Sequence, residues 1–281
     1  MEQMSDSSVT AIAEAMAGLP ELTSISHSYL EPASPGSRAD QMLSDELGAC
    51  AFHIASTSLA SALDHLTTMK RVFETALLPP YALYALARSA HEGALVAEWL
   101  MEPRLAIDDH FARSVGAQFD DYGERSKLEQ AANIRPKGSA ELAVTRRAQF
   151  MAKAHARGLA RPNAKSGELE PTRPLLGITN LFDRFESHDR TLPDGSVVKV
   201  SGSVLFRAYS AFAHGKQWAN LLGRLEPVTA PDANRHQIAV VIGSDAILER
   251  AYVAPTAAAR RALDAIGVYR SHSNWPADPL P

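Results

Sequence analysis

The sequence predicts a mainly α-helical protein, an up-down antiparallel bundle carrying a small β hairpin or ordered loop. Three observations lead there. Long segments lack proline and repeat apolar residues every three or four positions, the spacing that gathers one apolar face on a helix. Helix-breaking residues fall between those segments, as at Pro79-Pro80, Pro103 and Arg135-Pro136-Lys137-Gly138. Strand-like patterning is confined to about 192–200 and 238–242.

Taken in order, residues 8–17 suit a short helix, and a Pro/Ser/Gly linker follows at 31–37. From Arg38 to Ala76 no proline intervenes, and Phe52, Leu59, Leu63, Leu66 and Phe73 recur at helical spacing, so one long core helix is expected. Pro79-Pro80 ends it, and the second proline fits the first turn of a helix over 81–101, giving an antiparallel hairpin. A third helix is expected over 107–132 and a basic one over 140–158. A Pro/Asn/Gly/Ser-rich loop at 159–173 leads to a helix at 174–186. Asp194-Gly195 beside alternating valines predicts a small hairpin or an ordered loop at 192–200. Residues 201–222 read as a helix with a break at Gly215, and 238–242 as either strand or buried helix. The last helix, 246–268, is expected to break near Pro255. This pattern divides the chain into a short helix and linker (1–37), a bundle (38–222) with a basic insertion (133–173), and a helical appendage with a loose tail (223–281).

A chain of 281 residues, 46% of them apolar, is long enough to bury a substantial core. Its net charge of −4 gives no global drive toward nucleic acid or an anionic membrane, so such a partner needs a local patch. One stands between Arg125 and Lys165, where ten Lys and Arg residues face only Glu129 and Glu141. Arg146, Arg147, Lys153 and Arg157 are its candidate nucleic-acid contacts; a solvated helix face is the simpler structural account. Cys50 is the single cysteine, so no intramolecular disulfide forms and a reducing compartment is expected. The N-terminal residues lack the basic and apolar regions of a signal peptide, and no uncharged apolar run reaches the roughly 20 residues that span a bilayer. A cytoplasmic protein is expected, with no membrane association.

Two constellations could carry chemistry. Arg88 and Glu92 stand at i and i+4; if their face is buried, each must neutralise the other, because an unpaired charge in a core costs several kcal/mol. They would flank a polar pocket also reached by Ser210, Tyr209 and His214 of the later helix, with His65 a candidate from the first core helix. No metal or cofactor is expected: Asp64/His65 and His91/Glu92 are helical neighbours pointing about 100° apart, so each pair offers one ligand. Only a convergence of His65, Glu92 and His214 from three helices would make a metal site.

The second constellation is Arg207 and His214, seven residues apart in the stretch Leu205-Phe206-Arg207-Ala208-Tyr209-Ser210-Ala211-Phe212-Ala213-His214-Gly215. Seven helical steps return within about 20° of the same face and about 10 Å along the axis. His214 before Gly215 also reads as a helix C-terminus, where glycine supplies the left-handed cap and a histidine suits the negative end of the dipole.

Arg207-x6-His214 resembles the Arg-x(4–6)-His motif of the HEPN superfamily of helical ribonucleases, toxins and nucleotide-binding domains. The Arg-Ser-Ala-x-Glu and Ser-Ala-Phe-Ala-His-Gly segments are also similar to those of uncharacterised bacterial helical proteins. The HEPN resemblance implies metal-free RNA cleavage in a site composed across a homodimer, with His214 exchanging a proton and Arg207 holding the phosphate. Where the family often has a polar residue after the arginine, Ala208 stands here. Three functions therefore compete: a HEPN-like endoribonuclease or inactive relative, a non-catalytic helical binding module, and a metal-dependent enzyme with a site between helices.

Overall fold

The apolar-periodic segments do form helices in the computed structural model, which describes residues 5–28, 32–75, 81–132, 143–191, 197–216, 223–227, 239–243 and 245–271. The protein is mainly α-helical, with small two-stranded hairpins between helices. No helix among the described residues is long and apolar enough to cross a membrane.

The first helix, α1 (Asp6–Ala17), is capped by Ser5, whose side chain accepts the Ser8 N–H. α2 (Leu19–Ser28) follows at once, with Pro20 in its first turn, where a missing N–H costs no helical bond. The long helix expected from Arg38 is two helices, α3 (Arg38–Leu43) and α4 (Glu46–Glu74). Asp45 makes the break: its Oδ1 accepts the Leu47 N–H at 2.9 Å, starting α4 afresh instead of continuing α3. α5 (Ala82–Leu100), α6 (Ile107–Ala131), α7 (Ala143–Ala156) and α8 (Ile178–Glu186) match their expected segments.

The stretch expected as a loop at 159–173 contains a short hairpin, β1 (Ala160–Pro162) with β2 (Leu169–Pro171), pairing Ala160 with Pro171. Asn163 closes its turn by accepting the Lys165 and Ser166 N–H groups on its side chain. The Asp-Gly signal does mark a hairpin, β3 (His188–Thr191) with β4 (Val197–Val200), although the turn itself lies outside the described residues. α9 (Ser203–Ala213) ends at His214, and Gly215 takes a left-handed φ of 60°. The segment near 238–242 is a strand, β6 (Ala239–Gly243), paired antiparallel with β5 (Gly223–Pro227). Finally α10 (Asp245–Ser271) runs through Pro255 without the expected break. Burial of Ala251, Tyr252, Ala254, Thr256, Ala258 and Ala259 around the proline holds that helix together despite one lost backbone hydrogen bond.

Contacts between residues distant in sequence, such as Ser8 Oγ donating to Glu249 at 2.8 Å, gather the chain into two units, each built from separated stretches. The first comprises Met1–Ser28, Ser58–Val96 and Gly177–Leu263. Leu22, Leu66, Met69, Leu83, Tyr84, Phe182, Tyr209, Phe212 and Tyr252 fill its core. The second comprises Tyr29–Thr57, Ala97–Leu176 and Asp264–Pro281. Met42, Phe52, Trp99, Leu100, Val115, Phe150 and Tyr269 fill that core. The basic helix α7 belongs to the second unit, where Phe150, Met151 and Ala154 bury one face of it.

Candidate functional site

In the first unit, α5 presents Arg88 and Glu92 on one face because four residues make about one turn. Arg88 Nε donates to Glu92 Oε1 at 2.6 Å. Their side chains are 27% and 30% exposed, so this pair lies at the edge of the core and not within it. The same guanidinium lies 4.9 Å from the centre of the Phe206 ring and places Nη1 3.3 Å from His214 Nε2. Three side chains of α5 and α9 thus meet: Glu92, Arg88 and His214.

The end of α9 explains where His214 stands. Its N–H bonds to the Ser210 carbonyl at 3.0 Å and Lys216 N–H bonds to Ala211 at 2.8 Å, while left-handed Gly215 turns the chain away. The imidazole is exposed at the helix C-cap. Arg207 is exposed as well, but its electrostatic neighbour is Asp183. That carboxylate accepts the Ser201 hydroxyl and, at 2.8 Å, the Ser203 N–H; these bonds, with a smaller contribution from Arg207, hold its pKa below the usual range. The cation that touches His214 is therefore Arg88, from another helix.

The other candidates from the sequence take structural places. Ser210 donates to the Phe206 carbonyl at 2.8 Å, one turn back along α9. Tyr209 is fully buried, donates to the Arg250 carbonyl at 3.0 Å and stacks on Tyr84; burial pushes its pKa well up. His65 Nδ1 pairs with the Ser61 carbonyl of its own helix at 2.6 Å. No cluster of three or more His, Cys, Asp or Glu residues placed to hold a metal occurs among the described residues. In the second unit Arg146 is exposed and Arg147 stacks on Phe119. Lys153 pairs with Glu46, and Arg157 pairs with Asp45 at 2.5 Å while lying over Phe111. Two of the four basic candidates are thus neutralised by acidic residues at the start of α4.

Sequence reasoning did not find the partners of a buried polar group that α5 also carries, centred on His91. His91 is fully buried, edge-on to Phe182 with ring centres 4.5 Å apart. Its Nε2 lies 3.2 Å from Glu186 Oε1, outside hydrogen-bonding alignment, and its Nδ1 has no hydrogen-bond partner. Glu186 is anchored by Arg261 at 2.8 Å. Burial holds the His91 pKa below its usual value despite the carboxylate; burial opposes ionisation of Glu186 too, but His91 and Arg261 outweigh it and hold that pKa down. The one local signal is the set of buried alanines Ala87, Ala90 and Ala94 around His91, which mark its face of α5 as the inner one. Glu186 and Arg261 carry no such signal.

Chemically, the exposed group joins a proton acceptor to a fixed cation. A guanidinium only donates, so its contact with His214 Nε2 needs a lone pair on that nitrogen. An imidazole in that form can take a proton, and a guanidinium freed from it can bind an oxyanion. The chain matches no family model, no curated protein and no solved structure.

Proposed function

We propose that this chain is a HEPN-like, metal-independent endoribonuclease, or an RNA-binding relative of one, acting at the Arg88–His214 surface. One observation carries this reading: His214 stands exposed at the end of α9 with its Nε2 3.3 Å from a guanidinium. A phosphodiester entering here competes with a neutral imidazole for Arg88 and wins, because hydrogen bonds to an anion are about twice as strong. Nε2 is then free to take the 2′-hydroxyl proton. The 2′-oxygen attacks the adjacent phosphorus, the bond from phosphorus to the 5′-oxygen breaks, and that oxygen leaves with a proton returned from imidazolium. Arg88 stabilises the charge that builds on the phosphate. A second copy of the chain, contributing a second imidazole, and a cytoplasmic location complete the reading.

A second reading, a non-catalytic helical binding module, is favoured by the pairing of Lys153 with Glu46, of Arg157 with Asp45, and by Asp183 beside Arg207. Those carboxylates leave less free positive charge for a nucleic-acid backbone. The experiment incubates the purified chain and His214→Ala with mixed single-stranded RNA in excess chelator. Cleavage by the wild type, lost in His214→Ala with unchanged circular dichroism, supports the nuclease. No cleavage but salt-dependent RNA binding leaves the binding relative. Neither cleavage nor binding leaves the module.

A further inference from the structure

We infer that Arg88, oriented by Glu92, is a positioning residue that fixes the tautomer of His214, with the proton on Nδ1 and the lone pair on Nε2. The inference deepens the nuclease reading, since that lone pair is what takes the 2′-hydroxyl proton, but its structural basis stands apart from any reaction. Guanidinium is planar, and three anchors set its plane: Nε on Glu92 at 2.6 Å, the face of Phe206 at 4.9 Å, and Nη1 toward His214 Nε2 at 3.3 Å. With Nε committed to the carboxylate, the plane is fixed from behind and Nη1 is directed outward. Because none of the nitrogens of arginine accepts a hydrogen bond, a protonated Nε2 would place two N–H groups against each other. The backbone of His214 is held independently by its bond to Ser210 and by the left-handed Gly215, so the ring meets Arg88 from a fixed origin. Glu92 thus acts at one remove: it turns Arg88, and Arg88 selects which imidazole nitrogen carries the proton.

This selection bears on catalysis. An imidazole with its proton on Nε2 would present a donor to the 2′-hydroxyl and could not act as base at that atom. While Arg88 donates to it, Nε2 carries the lone pair that a base at that atom needs.

The test uses the full chain labelled with 15N at histidine, with His214 ring signals identified by their loss in His214→Ala. Two-bond 1H–15N spectra at alkaline pH distinguish the two tautomers. The wild type is expected to show His214 protonated on Nδ1. Arg88→Met, which keeps the stem but has no donor, should move the population to the Nε2-protonated form, and Glu92→Gln should move it part of the way. Arg88→Lys, which restores a cationic donor, should recover some of the Nδ1-protonated form. A wild type protonated on Nε2, or a tautomer unmoved by Arg88→Met, overturns the inference. RNA cleavage measured on the same samples separates the two claims. A tautomer shift without wild-type cleavage sinks the nuclease and leaves the positioning role; cleavage with no tautomer shift does the reverse.

Discussion

At the scale of single residues, the buried histidines set how the protein responds to acid. His110 is fully buried in the second unit, donates from Nδ1 to the Leu100 carbonyl at 3.1 Å and meets the Tyr269 hydroxyl at Nε2. Burial pushes its pKa down to about 3. An unfolded histidine titrates near 6.5, so between those values the unfolded chain binds the extra proton. The stability His110 confers is complete above that unfolded pKa and falls with pH, by about 1.4 kcal/mol per pH unit. Wild-type protein should lose about 2 kcal/mol from this residue between pH 7 and pH 5. Urea unfolding at both pH values checks it: His110→Gln should shrink the stability gap by that amount, and an unchanged gap would refute the assignment. His91 adds to the wild-type slope in the same direction. Part of this chemistry was legible. The i, i+4 spacing of Arg88 and Glu92 announces their pairing, and His214 does reach it from the later helix. The partners Glu186 with Arg261, and His110 with Tyr269, were not legible, because each joins helices remote in sequence and neither shows a local periodicity.

At the scale of elements, close backbone approach decides where glycine is required. A β-carbon on Gly202, at the start of α9, would collide with the Phe182 carbonyl of α8, whereas one on Gly123, inside α6, meets no atom within 4 Å. The same substitution should therefore act in opposite directions. Gly202→Ala is expected to destabilise by about 1–3 kcal/mol through overpacking. Gly123→Ala should stabilise by roughly 0.5–1 kcal/mol, since alanine gives up less backbone freedom in a helix. Denaturant midpoints of the two variants test this, and a loss at both positions would show that packing at α8 and α9 is not the cause. Helix positions were readable from apolar spacing and proline placement because both act locally. The break at Asp45 and the continuity of α10 through Pro255 were not: one depends on a side chain capping its own neighbour, the other on burial by residues from elsewhere in the chain.

At the scale of the whole molecule, each unit is assembled from three separated stretches of chain, and element order alone does not reveal which stretches share a core. α10 serves both. Tyr252 donates to the Met69 carbonyl at 3.2 Å in the first unit, and Tyr269 packs edge-on against Phe52 in the second. Ending the chain after residue 244 should therefore cost far more helix than the 27 residues of α10 itself. Circular dichroism of that truncation checks this; a loss matching α10 alone would mean the remaining segments fold unaided. The same arrangement has a consequence for biosynthesis. Ser5 and Ser8 find their partners, Asp245 and Glu249, about 240 residues downstream. At roughly 5–20 residues per second, a ribosome needs about 10–50 s to supply them. Throughout that interval the apolar residues that pack on α10 stay uncovered, so the nascent chain is open to misassociation until Ser271 has been made.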